Sequence, residues 1–177
     1  MAFRYFAYGS NMLSSRLRKR CPSATKISNA SIEGFQLVFT KPSKDGSGKG
    51  GLVPKTEALC HGVLFELSEA DLPALDRAEG AGYGYERVST FTVIGSDKTM
   101  QGVTTYLPTR FNDQLNPYDW YLALVIAGAQ ENKLPSPYID MLKSVPFEED
   151  PKWERKGRLT AVDVIRETGI VDYRALL

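Results

Sequence analysis

An apolar, strand-like run near the N-terminus ends abruptly in small polar residues. Residues Phe3–Tyr8 have the pattern of a β-strand, and a short helix is predicted over about Met12–Arg20, where Pro22 ends it. The turn Gly9-Ser10-Asn11 between them leaves backbone N–H groups without partners at the start of a helix, where proteins commonly bind anions. Glycine allows close approach of a ligand to the backbone, and we expect a positive φ at Gly9. The sequence therefore predicts a strand-turn-helix unit with a binding site at its turn.

The rest of the chain adds alternating strands and helices. Further strands are predicted at Ile32–Thr40, Leu59–Leu67, Tyr85–Ile94 and Gly102–Leu107. A helix lies in "SEADLPALDRAEG", capped by Ser68 and stopped by Gly80. Two more helices begin with a cap and a proline, at Asn116-Pro117 and at Ser136-Pro137, and run to about Asn132 and Val145; "RLTAVDVIRETG" suggests a last one. This order, without repeats or a linker, predicts a single α+β domain over residues 1–177 with a mixed, partly closed β-sheet.

The stretch "KPSKDGSGKGGLVPKTEA", residues 41–58, is rich in glycine, proline, serine and lysine. Such a composition offers little apolar surface to bury, so we predict a long mobile loop, sensitive to proteases between Lys41 and Gly51. A phosphate-binding P-loop is excluded, because Gly48-Lys49 is followed by Gly50 and Ser43 stands where the first glycine belongs.

Composition excludes several classes of protein. The formal net charge is +1, which argues against nucleic acid as the main partner, and the basic cluster of Arg16, Arg18, Lys19 and Arg20 is interpreted as the solvated face of a helix. The chain has no apolar run long enough to span a membrane and no signal-peptide pattern, so a cytoplasmic location is expected. The two cysteines are far apart and His61 is the only histidine, which argues against disulfides, zinc sites and His-rich metal sites.

Two short motifs together identify a family. "FAYGSNM" near the N-terminus and "LDRAEG" some seventy residues later resemble the paired signatures of the γ-glutamylcyclotransferase family, and the similarity continues through "TYLP" and "GAQENKLP" to about Lys143. The resemblance implies a small mixed β-barrel with flanking helices and a cavity at one barrel mouth. It also implies conversion of γ-glutamyl amides to 5-oxoproline and a free amine, without a cofactor or a metal.

Glu79 matches the catalytic glutamate of that family. The α-amine of a γ-glutamyl group is its own nucleophile, but it is protonated at neutral pH and must lose a proton before it attacks the γ-carbonyl. The leaving amine must then gain a proton, and one carboxylate can do both. The alternative for Glu79 is a surface glutamate in the last turn of a helix, and Asp76 and Arg77 nearby are expected to form surface pairs.

The resemblance also implies the substrate-binding residues. The segment from the strand and the turn lines the pocket, with backbone donors for the substrate's α-carboxylate or amide oxygen and with Asn11 chiefly fixing the turn; two further tyrosines are carried over from a strand and a helix. The full set is Tyr5, Phe6, Ala7, Tyr8, Gly9, Ser10, Asn11, Tyr106 and Tyr121. Glutathione, a γ-glutamyl-protected natural product and a non-catalytic γ-glutamyl-binding role remain alternatives. The leaving amine and the oligomeric state, a homodimer included, stay open.

Overall fold

The predicted strands pair into a closed β-barrel. The computed structural model describes residues 1–95 and 98–177, and within them the strands are β1 (Ala2–Ala7), β2 (Thr25–Pro42), β3 (Gly48–Ser68), β4 (Tyr85–Gly95) and β5 (Thr99–Pro108). Their order around the barrel is β1-β3-β2-β4-β5. All neighbours are antiparallel except β1 and β5, which meet in parallel where Tyr5 pairs with Thr104. The predicted α+β class with a mixed sheet is confirmed.

The prediction of a long loop at residues 41–58 is wrong. β2 and β3 form a hairpin whose turn spans only residues 43–47, and the predicted loop belongs mostly to β3. Gly48, Gly50 and Gly51 are buried, because the glycines allow other backbone and side chains to approach closely. A Cβ atom on Gly48 would lie only 1.8 Å from the carbonyl oxygen of Phe39. The glycines of this segment therefore indicate dense packing and not a mobile loop.

The helices lie outside the barrel. In the described ranges they are α1 (Ser14–Arg20), α2 (Leu72–Glu79), α3 (Asp119–Glu131), α4 (Ser136–Lys143) and α5 (Lys156–Arg166), with short 3-10 turns at Ser10–Met12, Glu69–Asp71 and Tyr173–Leu176. None of these helices is long and apolar enough to cross a membrane. Gly80 ends α2 with a φ of +69°, as predicted.

Helix α3 begins later than the sequence predicted. Asn116 precedes a proline, which disfavours helical geometry, and its carbonyl oxygen accepts a hydrogen bond from the N–H of Gly48 at 2.8 Å. The chain therefore stays extended until Tyr118, and the helix starts at Asp119.

Helix α3 is the centre of the helical layer. Its residues from Asp119 to Ala129 are all buried. On one side Tyr121 contacts Gly50 and Phe39 of the barrel, and on the other side α3 packs on α4 and α5. A Cβ on Gly128 would lie 2.6 Å from the backbone nitrogen of Leu13, so this glycine lets α3 contact the 3-10 turn at Ser10–Met12 directly. This contact fixes the turn at the end of β1.

A buried polar cluster joins the C-terminal part of the chain to α3. The hydroxyl of Tyr173 donates to Asp119 at 2.6 Å and accepts from Arg158 at 2.6 Å. Asp150, just before α5, accepts from the indole of Trp120 at 2.8 Å and pairs with Arg155. The start of α5 is therefore held firmly beside the start of α3.

Candidate active site

A small cavity lies where β1 ends and the 3-10 turn begins. Its volume is about 30 Å³, and it is lined by the turn, a single carboxylate, one glycine of β3 and a ring of tyrosines: Tyr5, Tyr8, Gly9, Ser10, Asn11, Gly50, Glu79, Tyr85, Tyr106 and Tyr121. These residues come from β1, β3, α2, β4, β5 and α3. The strand-turn-helix unit found in the sequence thus forms one wall of the cavity.

The turn that lines this cavity contains backbone N–H groups without partners. The N–H of Met12 bonds to the carbonyl of Gly9 at 3.0 Å, whereas the N–H groups of Ser10 and Asn11 have no partner in the described ranges. Gly9 has a φ of −117°, so the expected positive φ is wrong. A Cβ at Gly9 would make only an ordinary contact, 3.5 Å from the hydroxyl of Tyr121, so the role of this glycine is to leave space open in the cavity that it lines.

Glu79 is held in one orientation by two partners. It is the last residue of α2, and its Oε1 atom accepts hydrogen bonds from Nδ2 of Asn11 at 2.7 Å and from Arg20 at 3.2 Å. Arg20 also donates to Oδ1 of Asn11 at 2.9 Å, which closes a triangle of contacts. No hydrogen bond reaches Oε2 of Glu79 from any residue that the structure describes. One oxygen is thus used for orientation and the other is free to exchange a proton.

The tyrosines of the cavity form two groups, according to whether the hydroxyl donates or accepts a hydrogen bond within the protein. Tyr8, Tyr85 and Tyr106 donate to the carbonyls of Tyr106 and Gly50 and to the carboxylate of Asp76, respectively. Tyr5 and Tyr121 instead accept, from Asn11 at 3.1 Å and from the N–H of Gly50 at 3.0 Å. The hydroxyl protons of Tyr5 and Tyr121 therefore remain for a ligand.

The tyrosine hydroxyls stay protonated at neutral pH. Burial, with the nearby charge of Glu79, raises the pKa of Tyr5 and that of Tyr8 well above the ordinary value. Burial also raises the pKa of Tyr121, although its hydrogen bond from Gly50 opposes the shift. Neutral hydroxyls donate to a developing negative charge without adding one of their own.

Gly50 and Tyr85 line the cavity but were missed in the sequence. Gly50 lies opposite an irregularity in β2, between Val38 and Lys41, so both its backbone groups bond to tyrosines instead of to the neighbouring strand. The signal that could have found it is the period-two spacing of Gly46, Gly48 and Gly50, which is typical of one face of a strand.

The basic cluster on α1 is only partly a solvated face. Arg18 and Lys19 are exposed, but Arg16 and Arg20 are partly buried, because they lie one helical turn apart and face the cavity wall. Arg16 donates to the hydroxyl of Ser10 at 3.1 Å, and Arg20 contacts Glu79. The interpretation of the cluster as solvated is therefore wrong for these two arginines.

Two of the predicted binding residues lie away from the cavity. Phe6 and Ala7 are fully buried in the barrel and are not among the lining residues. The alternation of β1 explains Phe6, because it directs Phe6 to the face opposite Tyr5, but it does not explain Ala7, which shares the face of Tyr5. Asp76 forms the expected surface pair, with Arg87 at 2.6 Å. Among the described residues, no group of three or more histidine, cysteine, aspartate or glutamate side chains could hold a metal ion.

The chain is similar to known proteins in both sequence and structure. The family model described as "AIG2-like family" matches residues 60–142. The chain is 32% identical over 149 residues to a γ-glutamylcyclotransferase of Bos taurus, covering 81% of this chain and 79% of the relative. It is 30% identical over 151 residues to a γ-glutamylcyclotransferase of Homo sapiens, with 81% and 79% covered. A solved γ-glutamyl cyclotransferase superimposes with a TM-score of 0.84 at 26% identity, covering 94% of this chain and 99% of that one.

Proposed function

Because this chain belongs to the γ-glutamylcyclotransferase family, we propose that it converts γ-glutamyl amides to 5-oxoproline with release of an amine, and that Glu79 is its catalytic residue. The observation that carries the assignment of Glu79 is its orientation. Asn11 and Arg20 hold Oε1, while Oε2 has no hydrogen-bond partner in the described part of the chain, and Glu79 lines the cavity.

The reaction needs proton transfer and orientation but no further reactant. Glu79 takes a proton from the substrate's α-ammonium, and the freed amine attacks the γ-carbonyl carbon to form the new C–N bond. When the bond to the leaving nitrogen breaks, Glu79 returns this proton to that nitrogen. The ring nitrogen also loses its second proton, which ends on the released amine in its ammonium form, so 5-oxoproline keeps one N–H. A well-oriented intramolecular attack of this kind can be worth an effective molarity of about 10⁵ M or more.

The cavity supplies donors for both oxygens that carry charge. The free N–H groups of Ser10 and Asn11 suit the α-carboxylate of a γ-glutamyl group. The uncommitted hydroxyls of Tyr5 and Tyr121 suit the γ-carbonyl oxygen, which becomes negative during the attack. The hydroxyl of Tyr106 donates its hydrogen bond to Asp76, so we assign Tyr106 a structural role in the cavity wall.

The test of this function is Glu79→Gln, assayed with γ-glutamyl-alanine. Glutamine keeps the size of the side chain but cannot accept the ammonium proton, so we expect kcat to fall by roughly 10²- to 10⁴-fold while the substrate still binds. Glu69→Gln, an exposed glutamate in the 3-10 turn before α2, is the matched control and should retain activity.

Two results would contradict the proposal in different ways. A Glu79→Gln variant with a raised KM and an unchanged kcat would make Glu79 a binding residue. A wild-type protein that retains γ-glutamyl-alanine overnight without releasing alanine and 5-oxoproline, as read by mass spectrometry, would be a binding module. Glutathione and γ-glutamyl-protected natural products share the same γ-glutamyl end and belong in the same assay.

A further inference from the structure

A basic groove lies beside the cavity, between α1 and α5. It is lined by Arg16, Lys19, Arg20 and Lys156, with Gly157, Thr160 and Val164, and its volume is about 320 Å³. Two of its cations have carboxylate partners: Lys19 pairs with Glu167 at 2.6 Å and Arg20 with Glu79 at 3.2 Å. Arg16 and Lys156 have no such partner among residues 1–95 and 98–177.

The start of α5 adds further positive charge to the groove. Lys156 and Gly157 are its first residues, and no side chain caps them. The first N–H groups of this 11-residue helix are therefore free and carry the positive end of its dipole. A second observation is independent of the helix end: the partly buried Arg16 donates to the neutral hydroxyl of Ser10 and to no carboxylate among the described residues. Burial and the charge of Arg20 lower the pKa of Arg16, although Tyr121 and Glu79 oppose the shift.

The groove is a built feature and not a chance gap between helices. Asp150 fixes the residues before α5 to Trp120, and Gly157 lets the helix approach the same indole, with a Cβ position 3.3 Å from the ring. On the other side, Ser15 of α1 donates to the carbonyl of Val164 at 3.2 Å. These contacts hold α1 and α5 together as the two walls of the groove. None of them places a carboxylate beside Arg16 or Lys156.

The groove adjoins the cavity at the reacting end of the substrate. Arg16 contacts Ser10 and Arg20 contacts Glu79, so each arginine lines the groove while touching a residue that lines the cavity. If Glu79 protonates the leaving nitrogen, the leaving group begins within about one residue's length of Arg20. The groove, at about 320 Å³, is the larger space beside the cavity of about 30 Å³, and it can take that half of a substrate.

We propose that this groove binds the anionic groups of the leaving amine, so that the protein selects γ-glutamyl conjugates whose leaving amine carries two negative charges. The two unpaired cations, Arg16 and Lys156, match that number. The inference rests on the proposed cyclotransferase function and names its substrate class.

Three near-isosteric substrates test the charge preference. γ-Glutamyl-glutamate, γ-glutamyl-glutamine and γ-glutamyl-glutaminamide release amines that carry two, one and no carboxylates. In the wild type we expect kcat/KM to rise by about tenfold for each carboxylate, because each carboxylate adds one charge-assisted hydrogen bond to the groove. Lys156→Gln and Arg16→Gln should each reduce the glutamate-to-glutaminamide ratio by about tenfold.

Arg18→Gln is the matched control, since it removes the same charge from the same helix outside the groove. It should leave the ratio at the wild-type value. Inorganic phosphate at constant ionic strength should raise KM for γ-glutamyl-glutamate and not for the glutaminamide conjugate, because only the former competes for the groove.

The failures of the two proposals are distinguishable. Equal kcat/KM for all three substrates, unchanged in Lys156→Gln, would overturn the groove proposal and leave the cyclotransferase function intact. Phosphate that affects all three substrates equally would assign the groove to a free anion and would also overturn it. A wild type that turns over none of the three would remove the function and this inference with it.

Discussion

Two glycine-containing segments meet in the cavity, and their glycines serve opposite purposes. The turn after β1 contributes Gly9, which has open space beside it, since an added Cβ would make only an ordinary contact at 3.5 Å. The β2–β3 hairpin contributes Gly50 to the cavity. Two residues earlier and outside the cavity lining, an added Cβ on Gly48 would overlap the backbone of Phe39. The first glycine leaves room for a ligand and the second leaves room for the protein itself.

Gly48→Ala should destabilise the β2–β3 hairpin, and this is the largest effect that we expect. The added Cβ would lie 1.8 Å from a backbone oxygen, which no rotamer change can relieve. Overpacking of this kind costs about 3 kcal/mol, roughly 10 °C in Tm for a chain of this size. Thermal unfolding followed by circular dichroism measures the shift.

Gly9→Ala is the control for Gly48→Ala, because its Cβ has room. It should keep Tm within about 2 °C of the wild type. Equal Tm values for the two alanine variants would mean that the hairpin glycines are not closely packed.

Gly9→Val should separate function from folding at the turn. Its φ of −117° is negative, so valine needs no left-handed conformation there, but the side chain fills the cavity next to Tyr121. We expect a loss of at least about 10²-fold in kcat/KM, as for a substrate displaced by roughly 1 Å, with the circular dichroism spectrum retained. Near-wild-type turnover would exclude the turn from the active site.

Asp45→Asn should have the smallest effect and should appear chiefly as a change in pH dependence. Asp45, in the hairpin turn, accepts from Lys49 at 2.8 Å and from the N–H and hydroxyl of Ser47. Burial alone would raise the pKa of Asp45, but these donors outweigh it and leave the pKa below its ordinary value of 3.8. The carboxylate therefore stabilises the fold above pH 3.8, and this contribution is lost as the pH falls below it.

The measurement is Tm against pH for wild type and variant. Asp45→Asn should lower Tm at pH 7 by about 2–4 °C, which corresponds to about 1 kcal/mol, and should flatten the decline below pH 4. Asp150, whose pKa is also held below its ordinary value by Arg155 and other donors despite burial, should leave part of the decline in place. The exposed Asp113→Asn is the control, and a decline flattened equally by both variants would contradict the role of Asp45.

Local patterns in the sequence were sufficient to predict the strands, the turn and the helix that ends at Gly80. Each of these depends on neighbours within a few residues, so alternation, capping and the αL glycine could be recognised directly. The hairpin was not predicted, since composition alone cannot distinguish a glycine that is mobile from one that is packed. Only the contact between Gly48 and Phe39 makes that distinction.

The contacts that orient the candidate catalytic group could not be derived from local patterns. Asn11 and Glu79 are 68 residues apart, and Arg20 reaches the same carboxylate across 59 residues. The tyrosines carried over by resemblance, Tyr106 and Tyr121, do line the cavity, but which of them keeps a free proton depends on Asp76 and Gly50. These hydrogen bonds join residues that meet only in the folded barrel, so local sequence patterns cannot reveal them.

The position of Glu79 on the last turn of α2 also limits how the length of the chain can vary during evolution. Ser68 caps the 3-10 turn that leads into this helix, Leu75 in the helix is buried in the core, and Gly80 ends the helix. One residue inserted or deleted between Leu75 and Glu79 would rotate the carboxylate by about 100° around the helix axis, away from Asn11 and Arg20. We therefore expect insertions and deletions to be tolerated only in other parts of the chain, because the four-residue spacing from Leu75 to Glu79 sets the position of the carboxylate.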